Sequence, residues 1–140
     1  MILLDTNVLS ELMEPEPYPE VVSWISKKPI TSLFISTITQ AEILYGLSLL
    51  EQGRRKSSLQ VAARTMFAKD FRERILSFDI SAAEAYAEIA SDRRLSGQPI
   101  SQFDAQIAAI AQSRGGSVAT RNVGDFINCG IEIINPWKRT

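Results

Sequence analysis

The sequence predicts an α/β protein in which a parallel sheet is covered by helices on both faces. Three observations carry this expectation. Short apolar runs bounded by polar residues, the pattern of buried strands, alternate with longer segments of helical spacing along the chain. The first run, Met1-Ile2-Leu3-Leu4, ends directly in Asp5-Thr6-Asn7, a carboxylate and two capping residues with no spacer, as where a strand hands over to a helix. A length of 140 residues with 45% apolar and 22% charged content suits one domain over residues 1–140, unbroken by repeats, low-complexity tracts or linkers.

Taken in order, Met1 to Leu4 is a buried central strand, and Thr6 or Asn7 is expected to cap a short helix from Val8 to Met13. The stretch Glu14-Pro15-Glu16-Pro17-Tyr18-Pro19 stops it, and Pro19 suits the first turn of the next helix, with Val21, Val22, Trp24 and Ile25 as its apolar face. Leu33-Phe34-Ile35 is the second strand, followed by a helix from about Gln40 to Leu50 that Gly53 ends. Arg54-Arg55-Lys56 opens a polar segment, and helical spacing resumes over Leu59 to Arg74. Ile75 to Phe78 is a third strand. Ser81, with Glu84 three residues on, forms a capping box for a helix to Leu95, which Gly97 to Pro99 breaks. Ser101 caps a helix through Gln112 that Gly115-Gly116 terminates, and Ser117 to Ala119 and Ile131 to Ile134 are the closing strands.

Composition excludes several chemistries. There is no histidine, so neither a Ser-His-Asp triad nor a histidine acid–base pair is available, and with one cysteine a zinc site is not expected. Cys129 has no partner for an intramolecular disulfide and reads as a small, half-buried apolar residue in a reducing compartment. No apolar run is long enough to span a bilayer and no basic region precedes the first strand, so the expected location is the cytoplasm, with no membrane partner. The net charge of −1 provides no general attraction to nucleic acid, which leaves that question to local charge.

Ligands of open α/β sheets bind beyond the carboxyl ends of strands, where Asp5 lies. Glu42 sits among Tyr45, Gly46 and Leu49 at helical spacing, an apolar stripe on which a carboxylate needs either a metal or a buried ion pair to an arginine. Asp104 lies in a first helical turn, where the helix dipole alone favours it, and its stripe continues through Ile107, Ala108 and Ala111. Thr120, Asn122 and Asp125 cluster after the Ser117 to Ala119 strand, in the same relation to the sheet as Asp5. Several carboxylates gathered without histidine repel one another unless a cation neutralises them, and oxygen donors favour Mg2+ or Mn2+. Such a cation lowers the pKa of a water and polarises a phosphate oxygen, so phosphodiester hydrolysis is the natural reaction.

At these residues the chain resembles the PIN-domain nucleases, and more closely the VapC or FitB type of bacterial toxin. The resemblance rests on the opening Ile2-Leu3-Leu4-Asp5-Thr6-Asn7, on Ser36-Thr37-Ile38-Thr39-Gln40-Ala41-Glu42 with Gly46, and on the Asp104 helix with Ile107-Ala108-Ala109. Ala119-Thr120-Arg121-Asn122 with Asp125-Phe126, and Asn135-Pro136-Trp137, complete it. It implies a three-layer α/β/α sandwich and a magnesium- or manganese-dependent endoribonuclease. Metal-binding and catalytic roles fall on Asp5, Glu42 and Asp104, with Thr6, Asn7 and Thr120 in support. The family's fourth acidic position corresponds to Asn122, with Asp125 three residues on, so either of these completes the site. The resemblance also implies an RNA substrate, a homodimer and a small antitoxin protein, together able to form a larger hetero-oligomer.

Among the basic residues Arg54, Arg55, Lys56, Arg93, Arg94, Arg121, Lys138 and Arg139, most read as an ordinary solvated face, and Arg121, beside the expected site, is the candidate RNA contact. Trp24 and Trp137 could stack on bases, but the favoured expectation is Trp24 in the core and Trp137 packing the chain end. Two competing readings remain. One is an aspartyl-phosphate phosphatase, disfavoured because Asn7 stands where an acid–base carboxylate is needed. The other is a catalytically silent PIN domain that binds RNA or protein.

Overall fold

A computed structural model describes residues 1–138, so Arg139 lies outside the described residues. Five parallel strands, β1 (Ile2–Leu4), β2 (Leu33–Ser36), β3 (Ile75–Leu76), β4 (Ser117–Ala119) and β5 (Ile133–Ile134), form one sheet in the order β3-β2-β1-β4-β5. Helices α1 (Thr6–Leu12) and α2 (Pro19–Ser26) connect β1 to β2, and α3 (Thr37–Ser48) and α4 (Arg54–Thr65) connect β2 to β3. Helices α5 (Ile80–Leu95) and α6 (Gln102–Ser113) then carry the chain across to β4. Because side chains alternate along a strand, Leu3 and Val118 face the layer of α5 and α6, while Leu4, Ile35 and Ala119 face α1 to α4. The result is the expected three-layer sandwich. The chain reverses direction across the sheet at β1, so a crevice opens between the carboxyl ends of β1 and β4.

Local chemistry sets the helix boundaries, several of which differ from the sequence reading. Asp5 itself caps α1, its carboxylate accepting the Thr6 N–H at 2.8 Å, so the helix begins at Thr6 and neither Thr6 nor Asn7 is the cap. Ser36 caps α3 by accepting from the Thr39 N–H, which starts that helix at Thr37, and it ends at Ser48, well before Gly53. Gly53 instead immediately precedes α4, whose first turn is the Arg54-Arg55-Lys56 triplet, and a π-helical turn over Met66–Asp70 follows α4. Asp79 caps α5 through the Ala82 N–H, displacing the expected Ser81 box. Ser101 caps α6 as expected. At the other end of α6, Gly115 at φ +66° lets its own N–H and that of Gly116 bond the carbonyls of Gln112 and Ala111, a closing turn that side chains rarely adopt. Strands β3 and β5 are two residues each, shorter than the runs suggest, and Val22 faces outward from α2. No helix among the described residues is long and apolar enough to cross a membrane.

Two of the basic residues are structural. Lys56 is buried and donates from Nζ to the Ser48 carbonyl at the end of α3. Arg93, 5% exposed on α5, donates from Nε to the Gln98 carbonyl and from Nη1 to the carbonyls of Asp125 and Ile127. It pins the turn after β4 onto α5 and satisfies a buried charge with backbone dipoles rather than a carboxylate. Removing it strands these carbonyls. Arg93→Ala is therefore expected to lower unfolding stability by about 3 kcal/mol in urea titrations, with a loss under about 1 kcal/mol contradicting the clamp.

Candidate functional site

The crevice between β1 and β4 is an open cleft of about 410 Å³. Asp5, Glu42, Asp104 and Asn122 line it together, as do Thr6, Asn7 and Arg121. Each comes from a different place in the chain. Asp5 follows β1, Glu42 is two turns into α3, Asp104 occupies the first turn of α6, and Asn122 follows β4.

A hydrogen-bond network fixes the floor. Asp5 is 5% exposed, with Oδ1 accepting the Thr6 N–H at 2.8 Å and Oδ2 accepting the Thr120 hydroxyl at 2.7 Å. The fully buried Thr120 Oγ1 in turn accepts the Asn122 N–H at 3.0 Å and Asn7 Nδ2 at 3.4 Å. Asn7 Oδ1 accepts the Arg121 N–H, which ties α1 to the segment after β4. Thr6 Oγ1 lies 2.8 Å from Glu42 Oε1 and 3.1 Å from Thr39 Oγ1, and since a carboxylate only accepts, its proton is best placed on Glu42.

The electrostatics are those of a carboxylate cluster short of positive charge. Burial raises the Asp5 carboxyl to about 6, against the hydrogen bonds from Thr120 and Thr6, and the nearby Asp104 and Glu42 push the same way. Burial also raises Asp104; its contact with Ser101 opposes this, the charge of Asp125 adds to it, and Arg93 pulls it back. Among the described residues no three acidic side chains converge tightly enough to form a closed cage. The donor set is nonetheless one that fits Mg2+ or Mn2+: all oxygen, partly desolvated, and in an open cleft, where a small hard cation keeps several waters and uses one or two carboxylates directly.

Not every expected residue enters the cleft in the expected way. Asp125 is exposed in a 3-10 turn over Val123–Phe126 and does not line the cleft, its carbonyl being held by Arg93, whereas Asn122 does line it. The Glu42 stripe is not buried: Tyr45 and Leu49 are each 67% exposed, and Thr39, Ile43 and Leu47 face the core instead. Glu42 bonds a threonine hydroxyl, and among the described residues it makes no ion pair. The sequence reading missed one wall. Ser10, Glu11 and Glu14 also line the cleft, continuing from Asn7 at steps of three, four and seven along α1 and just beyond it. That polar stripe was open to the same periodicity argument used for apolar faces. Trp137 lines the cleft as well, with the Arg121 guanidinium 5.4 Å from its ring centre.

Known proteins resemble this chain in both sequence and fold. The sequence profile of the PIN domain matches residues 2–128. Plasmid stability protein StbB of Pseudomonas syringae pv. tomato is 43% identical over 138 residues, covering 99% of this chain and 99% of its own. VapC ribonuclease Y4jK of Sinorhizobium fredii is 39% identical over 138 residues, with 99% of each chain covered. Toxin FitB of Neisseria gonorrhoeae is 39% identical over 137 residues, covering 98% of this chain and 99% of its own. A chain in the crystal structure of FitAcB from the same organism superposes with a TM-score of 0.93 at 38% identity, over 99% of this chain and 100% of that one.

The buried Asp5 makes a prediction independent of activity. With its carboxyl raised to about 6 from an ordinary 3.8, folding takes up a proton between those values, so metal-free stability falls as pH rises through that window. Asp5→Asn removes this dependence. Relative to the unmodified protein, the variant is expected to gain about 2 kcal/mol between pH 4.5 and pH 8 in EDTA, measured by urea unfolding at each pH. A stability difference that does not change with pH would show that burial does not penalise the ionised form.

Proposed function

Because this chain belongs to the PIN domain family, we propose that it is a metal-dependent endoribonuclease that hydrolyses RNA phosphodiester bonds and serves as the toxin of a toxin–antitoxin pair. One observation carries this reading. Asp5, Glu42 and Asp104, far apart in sequence, line one cleft at the carboxyl end of a parallel sheet, in a chain without histidine.

In this reading Asp5 and Asp104 would hold a Mg2+ or Mn2+ ion, with Glu42 and the neutral oxygen of Asn122 as further oxygen donors in the same cleft. When bound, the ion supplies Lewis-acid polarisation of the scissile phosphate and stabilises charge on the leaving oxygen. The protein's part is orientation. The Thr6 amide and the Thr120 hydroxyl each occupy one lone pair of the Asp5 carboxylate and fix its plane, leaving the remaining lone pairs for the cation. The Thr6 hydroxyl holds Glu42 Oε1 and leaves Oε2 to accept a proton from the attacking water. Asp125 acts from outside the cleft, its negative charge raising the proton affinity of Asp104. Arg121, which lines the cleft, contacts a substrate phosphate.

The proposed substrate is single-stranded or loop RNA, where unstacked bases are accessible. A homodimer and a small antitoxin that silences the cleft complete the proposal, supported by the likeness to Toxin FitB.

The experiment is cleavage of a mixed structured RNA pool by partner-free protein with Mg2+, Mn2+ or EDTA, alongside Asp5→Asn and Asp104→Asn. Cutting is expected only with a metal, and each substitution is expected to reduce it by roughly 100-fold or more. Undiminished cutting in EDTA or in both variants would remove the metal mechanism, and RNA binding without cleavage by folded protein would favour the silent module.

A further inference from the structure

The cleft presents an electrostatic difficulty for a polyanionic substrate. Among the described residues five carboxylates line it, Glu11 and Glu14 included, against one cation, Arg121. A bound divalent ion offsets only part of that charge, so an RNA strand needs favourable contacts outside the cleft to stay on the protein. The surface supplies them on one side. A second groove, of about 660 Å³, runs between α2 and β5 and is lined by Lys27, Lys28, Lys138 and Trp24 together with Glu20 and Glu132, so its lysines outnumber its carboxylates. Consecutive residues line the two depressions: Trp137 lines the cleft and its neighbour Lys138 lines the groove.

Each depression also contains a cation resting on an aromatic face: Arg121 on Trp137 at 5.4 Å, and Lys28 on Trp24 at 5.3 Å. Among the described residues neither cation is in an ion pair with a carboxylate. A cation held by a ring rather than by a carboxylate keeps its N–H donors available to an incoming phosphate, while the ring edge and the exposed part of its face remain open to a base. Trp137 is fixed for this purpose. Its main-chain N–H donates to Asn135 Oδ1 at 2.9 Å, the Lys138 main-chain N–H donates to the Asn135 carbonyl at 3.2 Å, and the ring packs on the core that covers β1 and β2. The tight turn at Asn135-Pro136 thus presents the aromatic ring to one depression and the lysine to the next.

We propose that single-stranded RNA engaged in the cleft continues over Trp137 and along the α2–β5 groove, with Lys138, Lys27 and Lys28 taking successive phosphates and Trp24 offering a stacking surface. The proposal rests on the ribonuclease reading. It gives Trp24 and Trp137, for which packing is the favoured reading by sequence, a second use of the part of each ring that lines a depression.

The test measures binding, on the Asp104→Asn background with Mg2+ present, of labelled single-stranded RNA about 15 nucleotides long by fluorescence anisotropy at several salt concentrations. Adding Lys27→Glu and Lys28→Glu is expected to weaken binding at least tenfold at low salt and to flatten the plot of log affinity against log salt by about 1.4, two phosphate contacts' worth. The pair Lys27→Arg and Lys28→Arg is expected to restore both. The same charge reversal at Lys69 and Arg72, toward the opposite β3 edge, is expected to change affinity by less than twofold. An unchanged affinity and slope in the Lys27/Lys28 variant, or an equal loss in the Lys69/Arg72 variant, overturns the groove. Cleavage of the same RNA by the unmodified protein, run in parallel, reports on the ribonuclease reading alone, so a groove that fails on an active enzyme is distinguished from a protein that cuts nothing.

Discussion

The hydrogen bond from the Thr120 hydroxyl to the Asp5 carboxylate is the contact on which the rest of the site depends. It joins the ends of β1 and β4, adjacent strands separated by more than a hundred residues of sequence, at the point where the chain reverses direction across the sheet. The same hydroxyl accepts from Asn7 and from the Asn122 amide, so the start of α1 and the segment after β4 are referenced to one buried oxygen. Asp5 is both helix cap and buried acid, and the two uses are coupled. Capping places its carboxylate against the Thr6 amide, and the resulting geometry turns its other oxygen inward to Thr120. The burial that raises its proton affinity follows from this placement rather than from any apolar neighbour chosen for the purpose.

Much of this was legible in the sequence because it rests on local signals. The Leu4 to Asp5 boundary, the Ser101 cap, the Gly115-Gly116 stop and the alternation of short apolar runs with helical segments each involve neighbours within one or two turns. Asp5, Glu42 and Asp104 stood out as carboxylates in apolar or strand-end settings, and all three line the cleft. The misreadings have a common physical origin. Ser36 lies four residues before the expected helix start at about Gln40, and Asp79 lies two before the expected cap Ser81, because any polar residue between a strand and a helix can cap and the pattern alone does not choose among them. Tyr45 and Leu49 are as apolar as a core stripe yet face outward, since composition does not say which side of an amphipathic surface meets the sheet.

What the sequence could not supply was the relation between distant segments. Nothing local distinguishes Asn122, which lines the cleft, from Asp125, which does not; the difference is made by a 3-10 turn and by an arginine on α5. Likewise Arg93 and Lys56 belong to basic runs that read as surface charge, and only the fold shows the backbone carbonyls that they bond. The Arg121–Trp137 stack brings together the segment after β4 and the segment after β5, the sheet's edge strand, a proximity no spacing encodes.

The manner in which Arg93 grips its neighbours also bears on how the site can change over evolutionary time. Its guanidinium contacts the segment beyond β4 mainly through main-chain oxygens, those of Asp125 and Ile127. Main-chain oxygens survive every substitution. The side chains at positions 122, 125 and 127 are thus free to vary in charge and size while the backbone path beside the Asp104 helix is retained. An acidic or amide residue can be exchanged at the rim without rebuilding the scaffold, so the charge of the cleft's edge can drift at little cost to folding.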